Sequence, residues 1–228
     1  MAYAVQWIRS LLFNIQMYVA MVIVAIVFLI PMIFSQKGAS LAANVYCWWV
    51  VWSARWMIGL KVQVRGTVPK GEVLIAAKHQ SFFDIIVIFN CLERSKFIMK
   101  RQLLFTPIVG QYAYRLGCIP VNRGKGAAAI RKMLADVASG RVAPGQLVIY
   151  PQGTRVAPGD KKVYKMGSGV LYSELQQDCV PVALNTGIFW PKRSIYRKPG
   201  IATVEFMEPI PKGKPVAEFM ELMEDAGE

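Results

Sequence analysis

The only histidine of the chain, His79, stands five residues ahead of a carboxylate, Asp84, in the segment Lys78-His-Gln-Ser-Phe-Phe-Asp84. A neutral imidazole can take a proton from an attacking hydroxyl, and a carboxylate beside it fixes the tautomer and stabilises the imidazolium that forms. On one continuous helix the two side chains would lie about 140° apart, too far round to touch. The spacing therefore places His79 before a helix, with Ser81 as N-cap and Asp84 at the third helical position, pointing back toward the turn. Ser81-x-x-Asp84 is equally a plain capping box, so the fragment alone fits helix capping as well as proton transfer. Two other clusters carry anion-binding chemistry. Arg123 closes the run Gly117-Cys-Ile-Pro-Val-Asn-Arg123, and Gly153, Thr154 and Arg155 close Tyr150-Pro-Gln-Gly-Thr-Arg155. A glycine lets backbone approach an anion, a threonine hydroxyl donates, and arginine offers a two-pronged fork for phosphate. Taken singly, each arginine is equally a solvated loop charge and Gly153 a turn.

Each cluster must be held by an element that ends just before it. Short apolar runs at 73–77, 97–99, 118–121, 147–150, 180–184 and 203–206 read as strands. Helical patterns lie between and after them at 82–92, 106–115, 127–139, 165–177 and 216–223. Strands alternating with helices predict a single α/β domain over 61–228, a central sheet flanked by helices with ligands beyond the carboxyl ends of the strands.

The first 60 residues are unlike the rest. They hold three charged side chains, Arg9, Lys37 and Arg55, and five of the six tryptophans. Residues 17–34 form an uncharged run that as a helix would span roughly 27 Å, close to a bilayer's hydrocarbon thickness, with Pro31 kinking its far end. A second apolar stretch, 41–60, carries Trp48, Trp52 and Trp56 at helical spacing, and indole favours the headgroup level. A two-helix membrane hairpin over 1–60 is predicted, crossing the bilayer or dipping into one leaflet. A cleavable signal peptide fits less well, because the apolar pattern resumes at once after the break. The basic excess after Leu60 puts 61–228 on the cytoplasmic face of the inner membrane.

Composition narrows the function classes. Hydrophobic residues make up 54% of the chain, which excludes disorder, and mean hydropathy is +0.35, high for a soluble protein. A formal charge of +13 points to an anionic partner. Nucleic acid ranks low, since the aromatics cluster apart from the basic residues. One histidine and four separated cysteines suggest no metal site and no disulfide framework.

Together, His79 and Asp84, Gly117 through Arg123, Gln152 through Arg155 and Val180-Pro-Val182 resemble the four ordered motifs of the glycerolipid acyltransferases, in particular the 1-acylglycerol-3-phosphate acyltransferases, over about 64–209. The resemblance implies catalysis at the first motif and binding of the acyl acceptor and its phosphate at the second and third. It implies an acceptor phosphate held by Lys100, Arg123, Gly153, Thr154 and Arg155, and no cofactor, with acyl-coenzyme A or acyl-carrier protein as co-substrate. The expected acceptor is lysophosphatidic acid, met at a bilayer containing anionic lipids. Ser81 and Gln152 are further acceptor-site candidates, Ser81 as a minor nucleophile. Gln152 departs from the family's usual glutamate, keeping an acceptor oxygen but losing the charge. Other readings are a different lysolipid acceptor, such as lyso-ornithine lipid, or a non-catalytic lipid-binding protein of the same fold.

Overall fold

Pro31 decides how the N-terminal apolar sequence divides. It has no N–H to offer the Val27 carbonyl one turn back, and in the computed structural model, which describes residues 2–121, 145–227 and, between them, Arg131 and Ala135, the first helix stops there. Helix α1 (Ala2–Val27) is followed by the short α2 (Leu29–Phe34) and by α3 (Gln36–Met57). Ser35 caps α3, its Oγ accepting from the Lys37 and Gly38 amides.

The expected span at 17–34 is corrected to an earlier segment. Tyr3–Val27 is long and apolar enough to cross a membrane, although its first half carries Gln6, Ser10 and Asn14. These lie four residues apart on one face, and the folded chain satisfies them. Gln6 Nε2 donates to the Ile58 and Arg197 carbonyls, at 3.0 and 2.9 Å. Ser10 Oγ accepts from the Arg197 amide at 3.0 Å, and Asn14 Nδ2 donates to the Ile195 carbonyl at 3.0 Å. Among the described residues no second helix meets the same measure, and α1 packs on α3. The indole N–H of Trp49 donates to Gln16 Oε1 at 2.7 Å. Ala39, Ala42, Val50 and Ala54 form the buried side of α3, while on its exposed side Trp48 stacks on Trp52 and Trp52 meets Trp56 edge to face.

Seven strands follow: β1 (Leu60–Gly66), β2 (Leu74–Ala77), β3 (Ser95–Lys100), β4 (Ile119–Val121), β5 (Gln146–Ile149), β6 (Cys179–Leu184) and β7 (Gly200–Phe206). Their order in the sheet is β1-β7-β6-β2-β5-β3-β4. From β6 to β4 all neighbours are parallel, whereas β7 runs antiparallel to β6 and pairs in parallel with β1. Strand β1 was not expected, because Leu60 reads as the end of the preceding apolar stretch. The alternation of Leu60, Val62 and Val64 with Lys61, Gln63 and Arg65 is its signal.

Helices α4 (Phe83–Cys91), α5 (Val109–Arg115), α6 (Gly167–Leu175), α7 (Thr186–Phe189) and α8 (Val216–Gly227) are the further helical elements among the described residues. The helix expected at 106–115 begins only at Val109, and a 3-10 turn, Arg101–Phe105, precedes it. The helix expected at 127–139 lies outside the described residues, apart from Arg131 and Ala135, both helical.

Alternation along the central strands builds two cores. Ile75, Ala77 and Val148 face one side with α1, α3 and α4, through Phe13, Met17, Val50, Ala54 and Phe83. Leu74, Ala76, Leu147 and Ile149 face the other with α6 and α8, where Tyr172 stacks on Phe219 at 3.8 Å. The first core thus runs without a break across residue 60.

Candidate active site

Strands β2 and β5 are parallel neighbours, and their onward connections leave to opposite faces, β2 through α4 and β5 through α6. A crevice opens between such loops at the carboxyl ends of the strands. His79 follows β2 at this edge and residues 150–155 follow β5. The His79 carbonyl accepts from the Val156 amide at 2.7 Å, which ties the two loops together.

The imidazole is 15% exposed and Asp84 fully buried. His79 Nδ1–H donates to Asp84 Oδ2 at 3.0 Å. The same oxygen accepts from the Gln80 and Ser81 amides, at 2.6 and 2.8 Å. Thr186 Oγ1–H donates to the other oxygen, Oδ1. A carboxylate only accepts, so Nδ1 carries a proton, and in the neutral imidazole the lone pair is on Nε2. The arrangement can hold a base in one tautomer and neutralise it once protonated.

The helix starts one residue later than expected, with Phe82 at the N-cap and Asp84 as its second residue; Ser81 stands just ahead, its Oγ accepting from the Phe83 amide at 3.1 Å. It is corrected as a nucleophile candidate: the side chain is fully buried and its hydroxyl donates to the Trp190 carbonyl at 2.8 Å. With that proton committed and no base beside it, Oγ is a structural group. Trp190 in turn stacks on Phe83, with centroids 5.0 Å apart, and carries the Arg197 guanidinium 4.3 Å over its ring.

Three participants escaped the sequence reading. Thr186 follows β6, which is parallel to β2, so the strand-end rule applies to it as to His79. Trp190 lies 109 residues from the serine that it binds, and nothing local marks it. Tyr150 stacks on the imidazole with ring centroids 4.1 Å apart. Its hydroxyl is buried with no partner among the described residues. Burial, with the Asp84 charge adding to it, raises that hydroxyl well above the usual tyrosine range.

Gln152 is fully buried; its Nε2 donates to the Lys162 carbonyl at 3.3 Å, and Oε1 has no partner among the described residues. Gly153 closes the turn, donating its amide to the Tyr150 carbonyl at 2.8 Å. Its φ of +65° lies in the left-handed region that favours glycine, and the flexible end of Lys165 lies beside it. Thr154 and Arg155 are half-buried beyond it. Lys100 is exposed at the end of β3, two strands from β2 or about 10 Å along the sheet. Arg123 lies outside the described residues. An open cleft of about 510 Å³ between α3 and the end of α4, lined by Trp48, Asn90 and Glu93 among others, shares no residue with this site.

The sequence profile of the Acyltransferase family matches residues 60–185, more than half of the chain. The chain belongs to the Acyltransferase family. The matched stretch runs from β1 through β6 and contains His79, Asp84 and the turn at 150–155. This family member is 30% identical over 169 residues to human 1-acyl-sn-glycerol-3-phosphate acyltransferase beta, covering 72% of this chain and 60% of the relative. It is 24% identical over 161 residues to the 1-acyl-sn-glycerol-3-phosphate acyltransferase of Pseudomonas aeruginosa, covering 70% of this chain and 63% of the relative. The chain therefore spans about six-tenths of the length of these curated relatives. Its fold is similar to the crystal structure of the 1-acyl-sn-glycerophosphate acyltransferase PlsC from Thermotoga maritima. The TM-score is 0.78 at 21% identity, covering 96% of this chain and 93% of the other.

Proposed function

We propose that this acyltransferase moves a fatty acyl group from a thioester donor to the sn-2 hydroxyl of 1-acylglycerol 3-phosphate, giving phosphatidic acid. One observation carries the reading: Asp84 holds His79 Nδ1 at 3.0 Å at the carboxyl ends of the strands, which in the neutral imidazole makes Nε2 the proton acceptor. In this reaction Nε2 takes the hydroxyl proton while the oxygen attacks the thioester carbonyl. The C–S bond then breaks, and the imidazolium returns its proton to the departing thiolate. Arg155, with Gly153 and Thr154, binds the acceptor phosphate, assisted by Lys100 and Arg123. The roughly 10 Å between β2 and β3 suits a glycerol phosphate whose hydroxyl faces His79 and whose phosphate meets a long basic side chain. No metal or prosthetic group takes part. The donor is acyl-coenzyme A or acyl-carrier protein.

Residues 1–60 serve as the membrane-embedded part and 61–228 as the acyl-transfer part, on the cytoplasmic face of the inner membrane. Gln152 favours a second acceptor, lyso-ornithine lipid, because an uncharged amide stands where the family usually has a carboxylate. The test is an assay of the purified chain with either donor and each lysolipid. Phosphatidic acid formation that disappears in His79→Ala supports the first reading. Turnover of lyso-ornithine lipid alone would favour the second, and turnover surviving His79→Ala would refute the assigned base.

A further inference from the structure

The 3-10 turn after β3 and helix α5 carry apolar side chains that the protein leaves uncovered. Phe105 is 80% exposed and Tyr114 74% exposed, with Leu103 and Val109 uncovered between them. Single exposed apolar residues are ordinary, but four within one short segment make a patch of the kind that meets another apolar phase. The patch is also basic. Between Glu93 and the end of α5 the sequence has five Lys and Arg residues and no acidic one, and Lys100 and Arg101 are exposed at its start. It is continuous with the apolar N-terminal elements, because the Arg115 guanidinium donates to the Ile33 carbonyl of α2, beside exposed Ile30 and Phe34. Finally, the turn follows β3, which is parallel to β5 and through it to β2, so it leaves the sheet at the edge where His79 stands.

We propose that residues 101–115 form a second membrane contact, in which Phe105 and Tyr114 sit at the headgroup level of an anionic bilayer and the neighbouring cations face its phosphates. Aromatic rings favour that level, and basic side chains beside them draw it toward anionic lipid. The contact turns the catalytic crevice toward the lipid surface, so that a lysolipid can reach His79 without leaving the bilayer; in this it rests on the acceptor reading given above. An acidic carrier protein would also meet the cations, but the exposed ring pair and its continuity with α2 favour lipid.

The test uses the full chain in phosphatidylcholine vesicles, with and without phosphatidylglycerol, carrying a bimane label at Phe105→Cys and, in a second protein, at Tyr114→Cys. The native thiols are buried or half-buried, and burial pushes Cys91 and Cys118 up to about 11, so an exposed new thiol reacts first. Blue-shifted emission that nitroxide lipids quench, stronger with phosphatidylglycerol, is the expected result at both positions. Emission of a fully hydrated label in vesicles would overturn the proposal, as would a shift that appears only on adding an acidic carrier protein. This signal needs no turnover, so it fails independently of the acceptor assignment. The joint variant Phe105→Ser, Tyr114→Ser should lower turnover of vesicle-borne lysolipid about tenfold and spare a short-chain, water-soluble acceptor. Equal losses on the two acceptors would count against a membrane role.

Discussion

Because Oδ2 of Asp84 takes two backbone amides as well as His79 Nδ1, capping and orientation are one arrangement rather than rival readings. In Asp84→Asn the amide carbonyl can keep those three donors, while the new Nδ2–H₂ faces Thr186, whose hydroxyl can turn from donor to acceptor. The variant should therefore fold, with a stability loss of about 1–3 kcal/mol for the charge-assisted bonds. Turnover should fall roughly 10²–10⁴-fold, because the imidazolium loses its counter-charge. Adding His79→Ala should cost little more, since groups acting as a unit are not additive. Steady-state kinetics and thermal melts of the three variants check this, and near-normal turnover of folded Asp84→Asn would remove the relay. At Tyr150 the unfolded chain ionises near pH 10 whereas the buried hydroxyl stays protonated. The folded state then binds more protons, so stability falls as pH rises above 10, by about 1.4 kcal/mol per pH unit. Tyr150→Phe keeps the ring on His79 and removes this loss. It should match the parent in stability at pH 7 and resist alkaline unfolding better, as melts at pH 7 and pH 10–11 would reveal.

Among the elements, α1 reaches the catalytic turn through a short relay of contacts. Arg197 Nη2 donates to Asn14 Oδ1 at 2.9 Å, its guanidinium lies over Trp190, and the Trp190 carbonyl holds the Ser81 hydroxyl. Burial pulls Arg197 down to about 10, yet it remains charged at neutral pH. Arg197→Ala should cost about 2 kcal/mol through the lost carbonyl bonds and cation–π contact. For a chain of this size that is a fall in Tm of roughly 4–8 °C, checked by a thermal melt. These contacts also mark the limit of what the sequence discloses. The contact of His79 with Asp84 and the six strands ahead of the loops were legible because strand ends, caps and spacing are local signals. Asn14 to Arg197, Ser81 to Trp190 and Asp84 to Thr186 join residues 102 to 183 positions apart. Such pairings are fixed by topology, which no window of sequence contains. Helix α1 misled for a related reason: Gln6, Ser10 and Asn14 interrupt an apolar run but share one face, which only the fold shows to be covered.

At the scale of the whole molecule, residues 1–60 and the α/β part share a core. Removing residues 1–60 would take Phe13, Met17, Val50, Ala54 and Ile58 from the cluster that contains Phe83 and Trp190. At about 1.5–3 kcal/mol for each large apolar side chain, that loss is comparable to the 5–15 kcal/mol by which a typical domain is stable. A fragment of residues 61–228 should show no cooperative melt and rapid proteolysis, whereas the full chain melts cooperatively in detergent. A cooperative transition from the fragment would contradict this. The pairing of β1 with β7 sets the order of events during synthesis. Leu60 meets Gly200 in the finished sheet, so β1 leaves the ribosome about 140 residues before its partner, a wait of roughly 7–28 s at ordinary elongation rates. For that interval α1 and α3 are already made, while the strand beside them presents unpaired backbone. Helix α3 is then the neighbour that β1 keeps until its partner strand arrives.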